Sequence, residues 1–263
     1  MTPPVARNNA AGSAGSMQLH QPRLAEMVAE VLRERILTGV LQDGDFLPRQ
    51  EDLLQEFRVS RPSLREALRI LEAEGLITVR RGNRGGAVVH SPQAHNAGYT
   101  IGLVLKAQQV PLSDLGVALG RLEPLCAAMC ASREDRKKTV LPRLRAAHEA
   151  TIAAVDDDLE FTRLARRFHE VLVDTCGNET LKLAVGALES VWSGQEEEWA
   201  ERASAEGGFP GRERRLEGLR AHERLIELIE AGDEAAVASV ALRHLDATQR
   251  YALSQQARAR IVG

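Results

Sequence analysis

Within the first 90 residues, three stretches of helical periodicity are followed by two short β-rich runs around an arginine- and glycine-rich turn. In the first stretch the apolar side chains at helical spacing are Leu24, Val28, Val31, Leu32 and Ile36. Two shorter helical stretches follow, over about residues 50–57 and 63–74. The runs 76–80 and 87–89 flank the turn and indicate a β-hairpin. This order of elements predicts a winged helix–turn–helix.

A local excess of positive charge coincides with the third helix and the turn. Residues 58–86 hold seven arginines and three glutamates, although the whole chain carries a net charge of −3. A helix–turn–helix brings the start of its second helix to base edges, and that start offers Arg61, Ser63 and Arg65, which we expect off the apolar face. Arginine binds guanine or phosphate, and glycines let a backbone approach DNA closely. The pattern indicates a DNA-binding surface, and a solvated arginine face is the alternative.

Residues 24–89 resemble the DNA-binding domain of the GntR family of bacterial transcription regulators. The motifs that carry the likeness lie at residues 33–39, 44–48, 59–69 and 71–77, followed by the Arg/Gly turn. The DNA contacts that the resemblance implies are Arg49, Ser60, Arg61, Ser63, Arg65, Arg69, Arg81, Gly82, Arg84 and Gly85. One departure concerns an arginine that the family usually has three residues after its proline. That position is Glu51 here, and Arg49 is the expected substitute.

From about residue 96 the chain has helical periodicity throughout. The expected helices span residues 98–109, 113–133, 140–155, 158–176, 179–203, 213–231 and 233–256. Motifs at residues 121–124, 168–170 and 177–178, followed by His222 and His244, resemble the FadR-like branch of the GntR family. In that branch the C-terminal FCD domain is an all-helical bundle that binds an effector. Arg121 is then a candidate contact for an effector carboxylate or phosphate, and a solvent-facing arginine is the alternative.

Three histidines, His169, His222 and His244, lie on the apolar faces of three different expected helices. Imidazole is the commonest transition-metal ligand, so three of them converging in a bundle indicate a shared site. The resemblance implies that they bind an effector and hold a divalent metal of the zinc or nickel class. Relatives add an aspartate four residues before the first histidine, but Ala165 stands there in this chain.

Three interpretations of the histidines stay open at this point. They hold a metal whose coordination shell is completed by water or by the effector, they line a metal-free polar pocket for an anionic effector, or they are unrelated core residues. An enzyme is a further alternative, because three histidines with an open position resemble catalytic zinc. We expect no enzyme, since the sequence shows no acidic base paired with these histidines.

The expected fold class is mainly α, with a winged helix–turn–helix followed by an FCD-type bundle. The expected organisation is a disordered tail at 1–17, the DNA-binding domain at 18–89, a linker at 90–95, and an effector-binding and dimerisation domain at 96–263. Neither a run of about 18 apolar residues nor a secretion leader is evident, which predicts a cytoplasmic protein without a membrane span. Cys126 and Cys130 are expected as small buried side chains rather than disulfide partners.

These features predict a ligand-responsive transcription regulator, with repression as the expected effect. A homodimer would place two recognition helices on a pseudo-palindromic double-stranded DNA operator. The effector in the helical domain is expected to be a carboxylate or an acyl-CoA. An effector-free architectural DNA-binding protein is the remaining alternative.

Overall fold

The structure is a computed structural model that describes residues 21–80 and 86–255. The expected tail at 1–17 and four predicted DNA contacts lie outside the described residues: Arg81, Gly82, Arg84 and Gly85. The chain divides between Pro92 and Gln93 into two compact units. The described residues are mostly helical with one two-stranded antiparallel sheet, which confirms the predicted fold class.

The first unit contains three helices and a hairpin. Its elements are α1 (Gln21–Leu37), α2 (Gln50–Phe57), α3 (Arg61–Ala73), β1 (Ile77–Arg80) and β2 (Gly86–Val89). The chain enters α3 as predicted, because the Ser60 Oγ accepts a hydrogen bond from the backbone N–H of Ser63, and Pro62 needs no such partner in the first turn. Gly75, at φ +74°, ends the helix, and β1 then pairs with β2 from Ile77–Val89 to Arg80–Gly86.

The buried face of α1 differs from the predicted stripe. Leu24 and Val31 are 48% and 42% exposed. The residues of α1 that are buried in the core of this unit are Ala25, Val28, Ala29, Leu32 and Ile36. Ala25 and Ala29 thus occupy the core positions that the pattern of large side chains assigned to Leu24 and Val31. Helix α1 packs against α3, and small side chains in a core let neighbouring elements pack closely.

The second unit is an all-helical bundle. Its helices are α4 (Ala94–Ala107), α5 (Leu112–Ser132), α6 (Arg136–Thr139), α7 (Leu141–Ala153), α8 (Asp158–Asp174), α9 (Glu179–Ala205), α10 (Arg212–Ala231) and α11 (Glu234–Gln255). Helix α5 packs against α8, α9, α10 and α11. Cys126 and Cys130 are buried free thiols on α5, so their predicted role as small core side chains is confirmed.

In the described part of the chain, α5 is the one helix whose length and composition are sufficient to cross a membrane. It is mostly buried inside the bundle, with 56% of its most apolar window covered by protein. A central helix in contact with four others needs apolar residues on most of its surface. Its position in the core therefore accounts for its composition.

The short helix α6 was not among the expected helices, and several helix boundaries differ from those expected. Helix α4 begins at Ala94, inside the expected 90–95 linker, because the Asn96 side chain accepts a hydrogen bond from the backbone N–H of Gln93. Helix α9 continues through Ala205 into the expected loop at 204–212. The segment between α9 and α10 therefore spans only residues 206–211, with Gly207 at φ +70°.

Candidate functional site

The start of α3 presents two of the predicted DNA contacts to solvent and removes a third. Arg61 and Arg65 are exposed. Ser63 is only 3% exposed, and its Oγ lies 2.9 Å from the Ser60 Oγ. The prediction that Ser63 lies off the apolar face is therefore wrong, because its side chain takes part in the capping contact.

The remaining predicted DNA contacts among the described residues of the first unit are all exposed: Arg49, Ser60 and Arg69. Arg69 pairs with Glu66 at 3.3 Å on the same helix. The guanidinium of Arg61 lies 3.7 Å from the carboxylate of Glu51, which occupies the position where arginine was expected. The Glu51 carboxylate would therefore compete with DNA for Arg61, the first arginine of α3.

In the second unit, α8, α10 and α11 bring His169, His222 and His244 together. All three are buried, and one ring nitrogen of each lies within 4.8 Å of the others. The imidazole rings of His169 and His244 are parallel, with their Nε2 atoms 3.3 Å apart. The expected convergence of three helices on one point is thus present in the bundle.

Three buried charged residues that the sequence reasoning missed complete this cluster: Glu123, Arg166 and Glu189. The Glu123 carboxylate on α5 lies 2.9 Å from the Nδ1 of His169 and 3.1 Å from the guanidinium of Arg166. Arg166 also donates to Glu189 on α9 at 2.9 Å. The expectation that no acid accompanies the histidines is therefore wrong. The available signal was a charged residue inside an apolar helical stretch, as at Glu123 in α5.

The pKa values of the cluster are shifted by burial and by the charges of its members, among them the buried Arg166. Burial, and next the neighbouring His169, lower the pKa of His244 to about 3, and burial holds the pKa of His222 well below its usual range. Burial alone would raise the pKa of Glu123, but Arg166 and His169 lower it to about 2. Burial and the charge of Glu123 raise the pKa of Glu189 to about 8. Two histidines are thus neutral and one carboxylate is ionised.

The histidines line a cavity of about 120 Å³ in the second unit. That volume exceeds the roughly 10–15 Å³ needed by one water and suits a small organic molecule. Arg166, Arg214 and Arg215 also line the cavity, together with several aromatic side chains and Ala165. Arg121 is exposed and is absent from this wall, so the structure does not place this predicted effector contact at the cavity.

The three histidines offer nitrogen ligands of the kind that a divalent transition metal takes, and all three nitrogen atoms lie within 4.8 Å of one another. Ligands at about 2.0–2.1 Å from a tetrahedral zinc lie roughly 3.4 Å apart, which matches the 3.3 Å between the Nε2 atoms of His169 and His244. Within the described residues, the Nδ1 of His222 is buried without a hydrogen-bond partner. Glu123 holds the other ring nitrogen of His169, as outer carboxylates do at metal sites. Ala165 offers only a methyl group, so His169, His222 and His244 are the three ligands that this group would supply to a metal.

Comparison with protein families gives a match for each unit. Residues 24–89 match the model of the bacterial regulatory proteins of the gntR family. Residues 114–247, about half of the chain, match the FCD domain. The two matches follow the division of the chain into two compact units.

Individual relatives agree with these matches. An uncharacterized HTH-type transcriptional regulator of Mycobacterium tuberculosis is 29% identical over 234 residues, covering 86% of this chain and 88% of the relative. The HTH-type transcriptional repressor NanR of Klebsiella aerogenes is 31% identical over 161 residues, and the match covers 61% of either chain. The solved structure of Streptococcus agalactiae GntR has the same fold, with a TM-score of 0.66 and 23% identity over 86% of this chain and 99% of its own.

Proposed function

The chain belongs to the GntR family of bacterial regulatory proteins, in the branch with an FCD domain, and from this premise we propose that it is a repressor controlled by a small anionic effector. It is a DNA-binding transcription regulator with a ligand-binding helical domain. The repressing effect is proposed because several relatives, including that of Klebsiella aerogenes, are named as repressors. A cytoplasmic location follows from this role.

The observation that carries the proposal is the charge of the cavity wall. Three arginines line the cavity, and among its described lining residues Glu196 is the one acid. His222 and His244, which also line it, are neutral. Arg166 already pairs with Glu123 and Glu189, and Arg215 pairs with Asp158, whereas Arg214 has no carboxylate partner among the described residues. A carboxylate, or the phosphate and thioester groups of an acyl-CoA, would complement the charge of Arg214 and the hydrogen-bond donors of the wall.

DNA binding is proposed at the exposed start of α3, through Arg61 and Arg65, with Arg49, Ser60 and Arg69 beside it. A homodimer would present two such helices to a pseudo-palindromic operator. The test is selection of duplexes from a random pool by the purified chain. Recovery of one sequence class with salt-sensitive affinity supports the proposal, and recovery without sequence preference contradicts it.

We further propose that His169, His222 and His244 hold a divalent metal. When bound, such an ion would attract an effector oxygen as a Lewis acid. The chain's own contribution is positional, since Glu123 accepts from the Nδ1 of His169 and so directs its Nε2 toward His244. An enzymatic use of the site is not proposed. Both Glu123 oxygens already have partners, Arg166 and His169, so this carboxylate is not free to act as a base.

Purified, untagged protein should bind about one zinc or nickel ion per chain. His244→Ala should weaken that binding at least about 100-fold, because it removes one of three ligands. Metal analysis and competition with a chelating dye would measure both. His148→Ala is the matched control, since His148 lies beside His222 but outside the group of three. Equal metal affinity of the wild type and His244→Ala would refute the assignment.

The pairing of Arg61 with Glu51 predicts a gain of function. Glu51→Gln should tighten binding to the selected duplex about two- to fivefold, because the exposed carboxylate no longer competes for the arginine. Fluorescence anisotropy at fixed salt would measure the change. Asp52→Asn removes the same charge from the next residue of α2, which is also exposed. An equal gain in both variants would show that only net charge matters.

A further inference from the structure

The aromatic residues of this chain are concentrated on one cavity. The sequence holds only nine Phe, Trp and Tyr residues. Five of them line the cavity of the second unit: Phe161, Trp192, Trp199, Phe209 and Tyr251. Elsewhere the core of this unit consists mostly of Leu, Val, Ala and Cys side chains. Bundle packing alone does not require such a concentration, whereas a ligand with a flat apolar body does.

Several hydrogen-bond donors on the same wall are buried without a partner among the described residues. They are Nε1 of Trp199, Nε of Arg215, Nε of Arg166 and Nε2 of Gln249. Trp199, Arg166 and Gln249 are each at least nine-tenths buried. Buried donors in native proteins are almost always satisfied. Four unpartnered donors therefore indicate a ligand that supplies acceptor oxygens at more than one place.

Two of these donors belong to the aromatic part of the wall. Trp199 stacks with Phe209 at 5.7 Å between ring centroids, and Tyr251 meets Trp199 edge to face at 6.1 Å. The Arg215 guanidinium lies 5.4 Å from the centre of the Phe209 ring. The unpartnered N–H groups of Trp199 and Arg215 thus belong to side chains that contact the Phe209 ring. A ligand whose own ring packs against these aromatic side chains would satisfy them with an acceptor atom close to that ring.

The wall offers acceptors as well as donors. The hydroxyls of Thr162 and Thr248 donate to the helix carbonyls of Asp158 and His244, and their oxygens remain able to accept. Burial raises the pKa of Glu196, the one acid among the described lining residues, which favours its protonated form. A polyhydroxylated sugar acid would find these hydroxyl oxygens as partners, but it has no flat apolar face for the five aromatic side chains of the wall.

We propose that the cavity binds a planar aromatic acid that carries a second acceptor group remote from its carboxylate. This inference rests on the proposed function, since it specifies the effector class of the same site. One acidic group lies toward the histidines and Arg166. The ring packs on Trp199 and Phe209, and the second acceptor receives the Trp199 and Arg215 donors.

The two tryptophans of the sequence both line the cavity, so intrinsic fluorescence of the full chain reports occupancy. The probes are terephthalate, benzoate, trans-cyclohexane-1,4-dicarboxylate and gluconate, each titrated into metal-loaded protein. We expect terephthalate to bind about tenfold more tightly than benzoate, which lacks the second acceptor. The cyclohexane analogue, with the same acids on a puckered ring, should be weaker than terephthalate by a similar factor.

A pair of variants distinguishes the contribution of the Trp199 N–H donor from that of its aromatic ring. Trp199→Phe keeps an aromatic face but removes the unpartnered N–H, so the preference for terephthalate over benzoate should fall to about twofold or less. Trp192→Phe is the control and should keep the preference, because the Trp192 side chain already has Glu196 as a partner. Each variant retains one tryptophan as the reporter.

Three outcomes would overturn the inference: binding of the cyclohexane analogue as tight as that of terephthalate, binding of gluconate in preference to both aromatic acids, or no binding by any of the four. The proposed function is judged separately, by selection of duplexes with the same protein sample. If gluconate binds and releases a selected duplex, the regulator stands and only the aromatic class is wrong. If no duplex is selected, the regulator itself is wrong.

Discussion

Replacing both Arg61 and Arg65 with alanine should weaken binding to the selected duplex at least about thirtyfold. Each side chain is exposed at the start of α3, where a helix–turn–helix meets base edges. A single arginine contact of this kind is worth about 1–3 kcal/mol, and the two losses add if the contacts are independent. Thermal unfolding should be unchanged, because neither side chain belongs to the core of its unit. Anisotropy titrations over a series of salt concentrations would measure the effect.

The control for this prediction is Arg23→Ala/Arg220→Ala, which removes the same charge from two exposed helical positions outside α3. Its effect should be small and similar for selected and random duplexes, as expected for long-range attraction alone. The single variants distinguish base reading from phosphate binding, since a phosphate contact lowers the salt slope by about one. Unchanged affinity in the α3 double variant would remove this helix from the DNA interface.

Arg166→Leu should cost the second unit about 3–5 kcal/mol of unfolding free energy, the usual penalty for leaving buried charges without their partner. Arg166 is 8% exposed and donates to both Glu123 and Glu189. Removing it leaves the ionised carboxylate of Glu123 and the carboxyl group of Glu189 in the bundle without a cation that reaches both. Denaturant unfolding followed by circular dichroism would measure the loss. Arg167→Leu is the matched control, because that residue is 52% exposed and pairs only with Glu170 on the surface.

The origin of this cost can be checked by its pH dependence. A carboxyl whose pKa is higher in the folded state stabilises the fold below its unfolded value and loses that contribution as the pH rises through the folded value. Glu189 already behaves this way, with a pKa of about 8. Without Arg166 the pKa of Glu123 should rise as well, so the destabilisation should be smaller at pH 5 than at pH 8. A loss independent of pH would instead indicate a packing defect.

The sequence was sufficient for the elements of both units other than the short helix α6, because their signals are local. Ser60, Pro62 and Gly75 mark the ends of α3 through capping and backbone conformation, which depend only on near neighbours along the chain. Helical spacing placed His169, His222 and His244 on apolar faces, and a buried face in a bundle points inward. Their meeting was therefore predictable.

Local spacing is less reliable where tertiary packing selects which face of a helix is buried. On α1 the pattern of large apolar residues indicated Leu24 and Val31, but both are exposed, and Ala25 and Ala29 are buried in the core instead. At Ser63 the sequence indicated an exposed polar side chain, whereas the capping contact buries it. A polar residue at a helix start can be either an exposed DNA contact or a buried capping residue. Only the positions of the neighbouring side chains decide between the two.

What the chain determines by itself is the order of its helices, the hairpin, the arginine-rich surface and the three inward histidines. Tertiary structure alone decided the surroundings of those histidines. Glu123 is 46 residues from His169, and Arg166 meets Glu189 across 23 residues on another helix. The aromatic wall likewise unites α8, α9, α11 and the segment before α10. No periodicity encodes such pairings, because they depend on how helices pack in three dimensions, and that packing is set by the sum of many weak contacts.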